Sequence, residues 1–287
     1  MRQVAIVTDT TACIPPEYVA KYAIEVVPVQ LIVEGKTYRD GIDITPTEFY
    51  ALLRKAKTIP TTSNSAPEPY LTAFQHAARK ARQVLCFTEP SRFSAMFSSA
   101  KVAADMAKNV LRDTAIEVVE CTTAAAGQGL VAIAAARAAA LEKSLEEVKK
   151  IAGGIMARVK LFAGVDTLHY LVKSGRVPQA AALVNSILSI KPIFTLNHEG
   201  ARTVGLPRSM KSAMDHMLKL MNKAVVKGQR LHVAVMHADA PGQAMEFKGR
   251  ITARFNCHEI FITEFTPVMG VHTGPGLIGV AFYGEES

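Results

Sequence analysis

Short apolar runs alternate along this chain with longer stretches in which apolar residues return every three or four positions, the pattern of strands interleaved with helices. Val4 to Asp9 reads as a buried parallel strand that delivers Asp9-Thr-Thr at its carboxyl end. Pro15-Pro16 opens a helix over 17–22. Glu25 to Val33 is β-rich but carries Pro28, so it is expected as an edge strand or one with an irregular start, turning at Glu34-Gly-Lys. Thr45, Pro46 and Glu48 make a capping box for a helix to about Lys57. Residues 60–67, dominated by small polar side chains, read as a loop ahead of an amphipathic helix over 68–82. Gln83 to Thr88 is the next strand, and the serine-rich segment after it, with Ser91 and Ser94, passes into a helix through Leu111. Strand ends beside helix N-termini are where α/β proteins gather ligand groups. A strand over 115–120, an alanine-rich helix over 122–142 and a helix capped by Ser144 and Glu147 extend the βα pattern, which implies a mostly parallel sheet covered on both faces.

The helix pair ending near Gly153-Gly154 marks a division, with one domain expected over 1–158 and a second over 159–287. Each is expected to be α/β, with a mainly parallel or mixed sheet flanked by helices. In the second, strands are expected at 160–165, 191–196, 231–237 and 259–263, with 203–206 as a hairpin partner through a turn at 197–200. Helices are expected from Asp166, over 179–188 after the turn Ser174 to Pro178, over 207–226 and over 240–255. Pro267 to Gly276 reads as a strand end that turns at Gly and Pro, offers His272 and Thr273, and returns through Leu277 to Tyr283 as the strand that closes the sheet. Gly274, Gly276 and Gly279 satisfy the spacing G-x-G-x-x-G, but β-branched and aromatic residues follow where a helix would be needed, so a dinucleotide site is excluded.

At 287 residues, 49% apolar and 20% charged, the chain has the profile of a soluble globular protein with enough interior to enclose a ligand. No uninterrupted apolar run reaches the ~18 residues of a membrane span, and the N-terminus reads as a strand rather than a signal peptide. A cytoplasmic location without stable membrane insertion is expected. Cys13, Cys86, Cys121 and Cys257 are scattered with no C-x-x-C, so reduced, buried thiols are expected, and neither a metal nor a cofactor. The net charge of +8 is not gathered into a run, and the absence of tryptophan leaves little to stack on bases, so nucleic acid is not an expected partner. One region is more biased: Lys173, Arg176, Lys191, Arg202, Arg208 and Lys211 stand against the single acid Glu199, which fits a basic binding face or a set of solvated side chains equally well. Hydroxyls accumulate at loop tips, at Thr10, Thr62, Ser63, Ser91, Ser94 and Thr273, together with His272. Such groups donate to a carboxylate or phosphate without fixing a buried cation beside it. A hydrolase would need a base oriented by a carboxylate, which spacing alone does not locate. Three readings stay open on the residues alone: a carrier, an enzyme of small-molecule acyl or phosphoryl transfer using the same hydroxyls, and an interaction protein without a working pocket.

Asp9-Thr-Thr, Arg39 to Ile44, Pro60-Thr-Thr-Ser63, Leu168 to Arg176, Ile190-Lys-Pro-Ile193 and His272-Thr-Gly-Pro-Gly276 together resemble the DegV family of bacterial fatty-acid-binding proteins, in the family's order and over essentially the whole chain. The resemblance implies a two-domain α/β carrier that holds a long-chain fatty acid between its domains and presents it to a separate fatty acid kinase, itself catalysing nothing. By position it implies that Thr62, Ser94 and His272, with neighbours Ser63 and Thr273, bind the carboxylate. It implies that Arg176 and Arg208, in the basic region that also holds Arg202, face the kinase or the acyl phosphate. The sequence departs from the family pattern at Ala95-Met96, usually Gly-Thr, at Asn64, often Gln, at Glu120-Cys121, often Asp-Ser, and at Glu89-Pro90.

Overall fold

The computed structural model describes residues 2–63, 66–183, 190–197 and 199–286. In chain order its first part comprises β1 (Arg2–Asp9), a 3-10 turn (Thr10–Ala12), α1 (Pro16–Tyr22), β2 (Glu25–Val27), β3 (Gln30–Val33), β4 (Lys36–Arg39), α2 (Pro46–Leu53), β5 (Thr61–Thr62), α3 (Pro67–Ala78), β6 (Ala81–Thr88), α4 (Met96–Val110), β7 (Ala115–Glu120), α5 (Ala126–Ala140) and α6 (Leu145–Arg158). There follow β8 (Lys160–Gly164), α7 (His169–Ser174), α8 (Pro178–Leu183), β9 (Ile193–Asn197), β10 (Gly200–Gly205), α9 (Met210–Ala224), β11 (Leu231–His237), α10 (Pro241–Thr252), β12 (Cys257–Glu264), α11 (Pro267–Thr273) and β13 (Ile278–Gly284).

The first sheet, in the order β2-β1-β6-β7, is parallel throughout, as the repeated βα pattern implies. The second, in the order β10-β9-β8-β13-β11-β12, is mixed, with β11 and β12 its parallel pair. The expectation that the last strand closes this sheet is corrected: β13 lies in its interior, antiparallel to both β8 and β11. A second correction concerns Pro28. Lacking an N–H, it cannot continue a ladder, and the expected strand over 25–33 divides there. Val27 ends in the parallel sheet, while Leu31 pairs with Tyr38 and Thr62 in a separate antiparallel sheet, β4-β3-β5. Two residues of the expected loop over 60–67, Thr61 and Thr62, are thereby drawn into a strand.

Helices are shorter than polarity alone suggests: the expected spans to Lys57, to Arg82 and over 122–142 end or begin several residues inside those limits. The caps at Thr45 and Ser144 form the reciprocal boxes expected of them. The helix expected over 179–188 is α8 as far as Leu183, and its remainder, like His198 in the expected turn and Asn64, lies outside the described residues. Cys13, Cys86 and Cys121 are buried free thiols, whereas Cys257 is only half-buried.

What joins the two larger sheets is α5. Eight of its fifteen residues are alanine, and nearly every residue is buried, so no polar face exists to turn toward water. It touches β1 on one side and β11 and β13 on the other. Small residues allow this close approach; a Cβ at Gly129 would stand 2.5 Å from the Ala12 carbonyl oxygen. One apolar core therefore runs from Val4 and Leu85 through Leu130 and Ile133 to Ala234 and Tyr283. The outer faces are closed by α3 and α4 over the first sheet and by α9 and α10 over the second. Among the described residues no helix is long and apolar enough to cross a membrane.

Candidate functional site

The expected strand–turn–strand at 267–276 is instead a short helix, α11. Pro267 occupies its first position, where a missing N–H costs nothing, and Gly274 ends it at φ +67°. A side chain at Gly274 would also collide with the Tyr170 ring, its Cβ falling 2.1 Å from a ring carbon. Although α11 comes late in the chain, it packs against α2, β3 and β5 as well as α7. Three bonds tie it to the first part: Val268 N–H donates to Asp40 at 3.2 Å, the Thr266 hydroxyl to the Thr10 carbonyl at 3.1 Å, and the Tyr50 hydroxyl to the Phe265 carbonyl at 3.3 Å. Asp40 is buried here, and burial lifts its carboxyl to about 7.

The result is a cavity at the carboxyl ends of β1 and β6 that opens in part to solvent. Thr62, Ser63, Ser94, His272, Thr273 and Arg176 all line it. Arg202 and Arg208 do not; both are exposed, and Arg202 pairs with Glu199 at 3.2 Å. Ser91 also stays outside, its hydroxyl donating to Glu120 at 2.7 Å.

The polar groups are unequal in what they can offer a ligand. The Thr273 hydroxyl donates back to the Met269 carbonyl at 3.2 Å, and that of Ser63 to Gln30 at 3.3 Å. Ser94, just ahead of α4, accepts from Met96 N–H at 3.2 Å and donates to the Glu89 carboxyl. His272 differs: its Nδ1 is buried and has no hydrogen-bond partner among the described residues. Burial, with the Arg176 guanidinium second, holds its imidazole down to about 4, so the ring is neutral at pH 7 and carries one N–H to donate.

Thr11, delivered with Asp9-Thr-Thr at the end of β1, also lines the cavity, and so does Glu89, which the sequence did not single out as a site residue. Glu89 is buried just past the end of β6, where Ser94, Arg176 and Asp9 all act on its carboxyl. Burial first and the Asp9 carboxyl second push it up to about 8, against the Ser94 hydrogen bond and Arg176. Glu89 is therefore chiefly a neutral acid near pH 7, a donor rather than an anion. Asp9 is wholly buried and likewise raised by burial, while accepting from Thr11 and from the Tyr70 hydroxyl at 3.0 Å. The only sequence sign of Glu89 was a Glu-Pro pair at a strand end. The remaining lining is apolar and comes from both parts of the chain: Val29, Phe93 and Met96 from the first, Leu171, Leu196 and Met269 from the second.

The sequence matches the model for the DegV family of uncharacterised proteins over residues 3–285. The chain belongs to the DegV family. It is 31% identical over 284 residues to a DegV domain-containing protein of Clostridium acetobutylicum, covering 99% of each chain, and 28% identical to protein DegV of Bacillus subtilis, covering 97% of this chain and 98% of that one. Among solved structures, a fatty-acid-binding DegV family protein from Thermus thermophilus superposes with a TM-score of 0.90 at 26% identity, covering 99% of this chain and all of the other. A stearic-acid-binding protein from Eubacterium ventriosum gives 0.90 at 25% identity over 98% of each chain. The mixed α/β architecture is thus that of the DegV family.

Proposed function

We propose that this chain binds one long-chain fatty acid in the cavity, with the carboxylate at Thr62, Ser94 and His272 and the acyl chain among the apolar lining residues. The observation that carries this reading is a buried, unpartnered imidazole nitrogen in a residue that lines the cavity together with hydroxyl groups and many apolar side chains. An alkyl tail of about fifteen methylenes at ~0.8 kcal/mol each supplies on the order of 12 kcal/mol before ordering costs, so the tail governs affinity. The donors have another task. A carboxylate leaving water costs several kcal/mol unless its oxygens are hydrogen-bonded. Neutral Glu89, which also lines the cavity, adds a donor. Relatives that bind fatty acids support the ligand class.

On this reading residues 1–158 and 159–287 act as two domains with the ligand between them, the protein is a cytoplasmic carrier, and catalysis resides in a partner fatty acid kinase. Arg176 stands at the cavity rim to meet the phosphoryl group, and Arg202 and Arg208 belong to the partner-facing surface. A transferase built on the same hydroxyls would need its imidazole oriented by a carboxylate, and the unpartnered His272 Nδ1 has none among the described residues. Denaturing the purified protein and analysing the extract by mass spectrometry tests the proposal. Recovery of one fatty acid per chain is expected. No lipid in repeated preparations, with no uptake of added fatty acid, would refute it.

A further inference from the structure

Far from the cavity, at the opposite end of β11, two histidines and a glutamate converge. His232 is the second residue of β11, and its cross-strand neighbours are Glu259 on β12 and Tyr283 on β13. The β11–β12 register slips there: Leu231 pairs with Cys257 but His232 with Glu259, so His258 is the extra residue of a bulge. Bulges are rare in parallel ladders, and they re-aim side chains. This one turns both His258 and Glu259 toward His232. Glu285, just beyond β13, is fixed by its own backbone: its N–H donates to the Arg230 carbonyl at 2.9 Å, and its carbonyl accepts from Gln229 at 3.0 Å.

Two of the three separations have the spacing of a ligand set. Glu285 Oε1 lies 3.2 Å from His232 Nε2 and 3.1 Å from His258 Nδ1, and all three ligand atoms lie within 4.8 Å of one another. Around a tetrahedral divalent ion with bonds of about 2.0–2.2 Å, neighbouring ligand atoms stand roughly 3.3 Å apart. On its other side His232 Nδ1 lies 2.5 Å from Glu259 Oε1, while Nε2 faces the Glu285 carboxylate. Stacking on Tyr283, 4.6 Å between centroids and 7° between planes, holds the ring in place. Glu259 is in turn gripped by Arg137 of α5 at 2.9 and 3.0 Å. A carboxylate behind a histidine, itself anchored, is how metal-ligating imidazoles are oriented.

We propose that His232, His258 and Glu285 form a binding site for a divalent ion of the zinc class, with Glu259 orienting His232 and a fourth position left to solvent. Two imidazoles and one carboxylate suit zinc or cobalt rather than calcium or magnesium. The ion would clamp β11, β12 and the end of β13 together and connect through Glu259 and Arg137 to α5. Arg230 is the competing cation: its guanidinium touches His258 and lies 3.6 Å from Glu285, on an exposed side chain that can swing away.

The test is titration of the chelator-treated full chain with Co²⁺, followed by visible absorption, and with Zn²⁺, followed by calorimetry and thermal unfolding. One ion per chain and a raised Tm are expected. His258→Ala and Glu285→Gln each alter a partly exposed side chain and should weaken binding at least tenfold. Glu259→Gln should weaken it by about tenfold, and Arg230→Ala should tighten it. Absence of saturable uptake by the unaltered chain would overturn the proposal. So would affinity within twofold of the unaltered chain in both His258→Ala and Glu285→Gln, which would locate the ion elsewhere.

Discussion

Two histidines withdrawn from solvent, His272 and His232, sit in opposite electrical surroundings. His272 has an arginine for its charged neighbour and a nitrogen without a partner. His232 has a carboxylate at each ring nitrogen. Both rings are largely withdrawn from water, so the neighbours decide the role. A neutral ring beside hydroxyls and a protonated acid presents N–H and O–H groups and receives an anion. A ring between carboxylates stands among negative charges, where the proposed ion would be received.

Removing the anion-receiving set should have the largest effect. Ser94→Ala combined with His272→Ala deletes two hydrogen bonds to the ligand carboxylate, each worth about 1–1.5 kcal/mol, so fatty-acid affinity should fall about 100-fold by calorimetry, with the far-ultraviolet circular dichroism unchanged. Affinity within threefold of the unaltered chain would remove both residues from the site.

Next comes pH. Ionised Glu89 would oppose a carboxylate beside it, so affinity should be level below pH 8 and then fall about tenfold per pH unit. Glu89→Gln, measured over the same range, should stay level. The same group makes a stability prediction. Its folded-state pKa is raised, so the folded chain holds an extra proton between the usual carboxylate range and about 8, and stability falls as pH rises through that window. Thermal unfolding from pH 5 to 9 should show this decline, and Glu89→Gln should reduce it. A decline of equal slope in the variant would assign the effect to another group.

Smaller effects are expected away from both histidines. Arg208→Glu should slow phosphorylation of bound ligand by a fatty acid kinase severalfold while leaving ligand affinity within twofold; the reverse ranking would contradict the partner-facing role. Saturating Zn²⁺ should change fatty-acid affinity by less than twofold, since the His232 cluster shares no residue with the cavity. A larger change would show that the two histidines are energetically coupled.

Much of this was legible locally. The capping boxes at Thr45 and Ser144 and the parallel strands ending at Asp9 and Thr88 depend on residues near in sequence, and the structure has them. The residues at 62, 94, 176 and 272 could be named because each carries polar chemistry at a loop or element end, and they do meet in one cavity. Its apolar walls were not legible, because each element contributes one or two ordinary core side chains. Neither was α11: its composition of Val, Met and Gly is equally that of a strand end, and packing against α2, β5 and α7 decides in favour of a helix. The His232 cluster was least legible. Its members stand 27 and 53 residues from His232, or enter through a one-residue bulge that no periodicity announces.

The central claim is that the cavity takes an alkyl chain bearing an anionic head, selected by neutral donors. Titrating the delipidated chain at pH 7 with palmitate and then with hexadecylamine, whose alkyl tails differ by a single methylene of about 0.8 kcal/mol, tests it directly. The account predicts saturable one-to-one binding of palmitate and at least 100-fold weaker binding of the amine. Equal affinity for the two, or tighter binding of the amine, would contradict it.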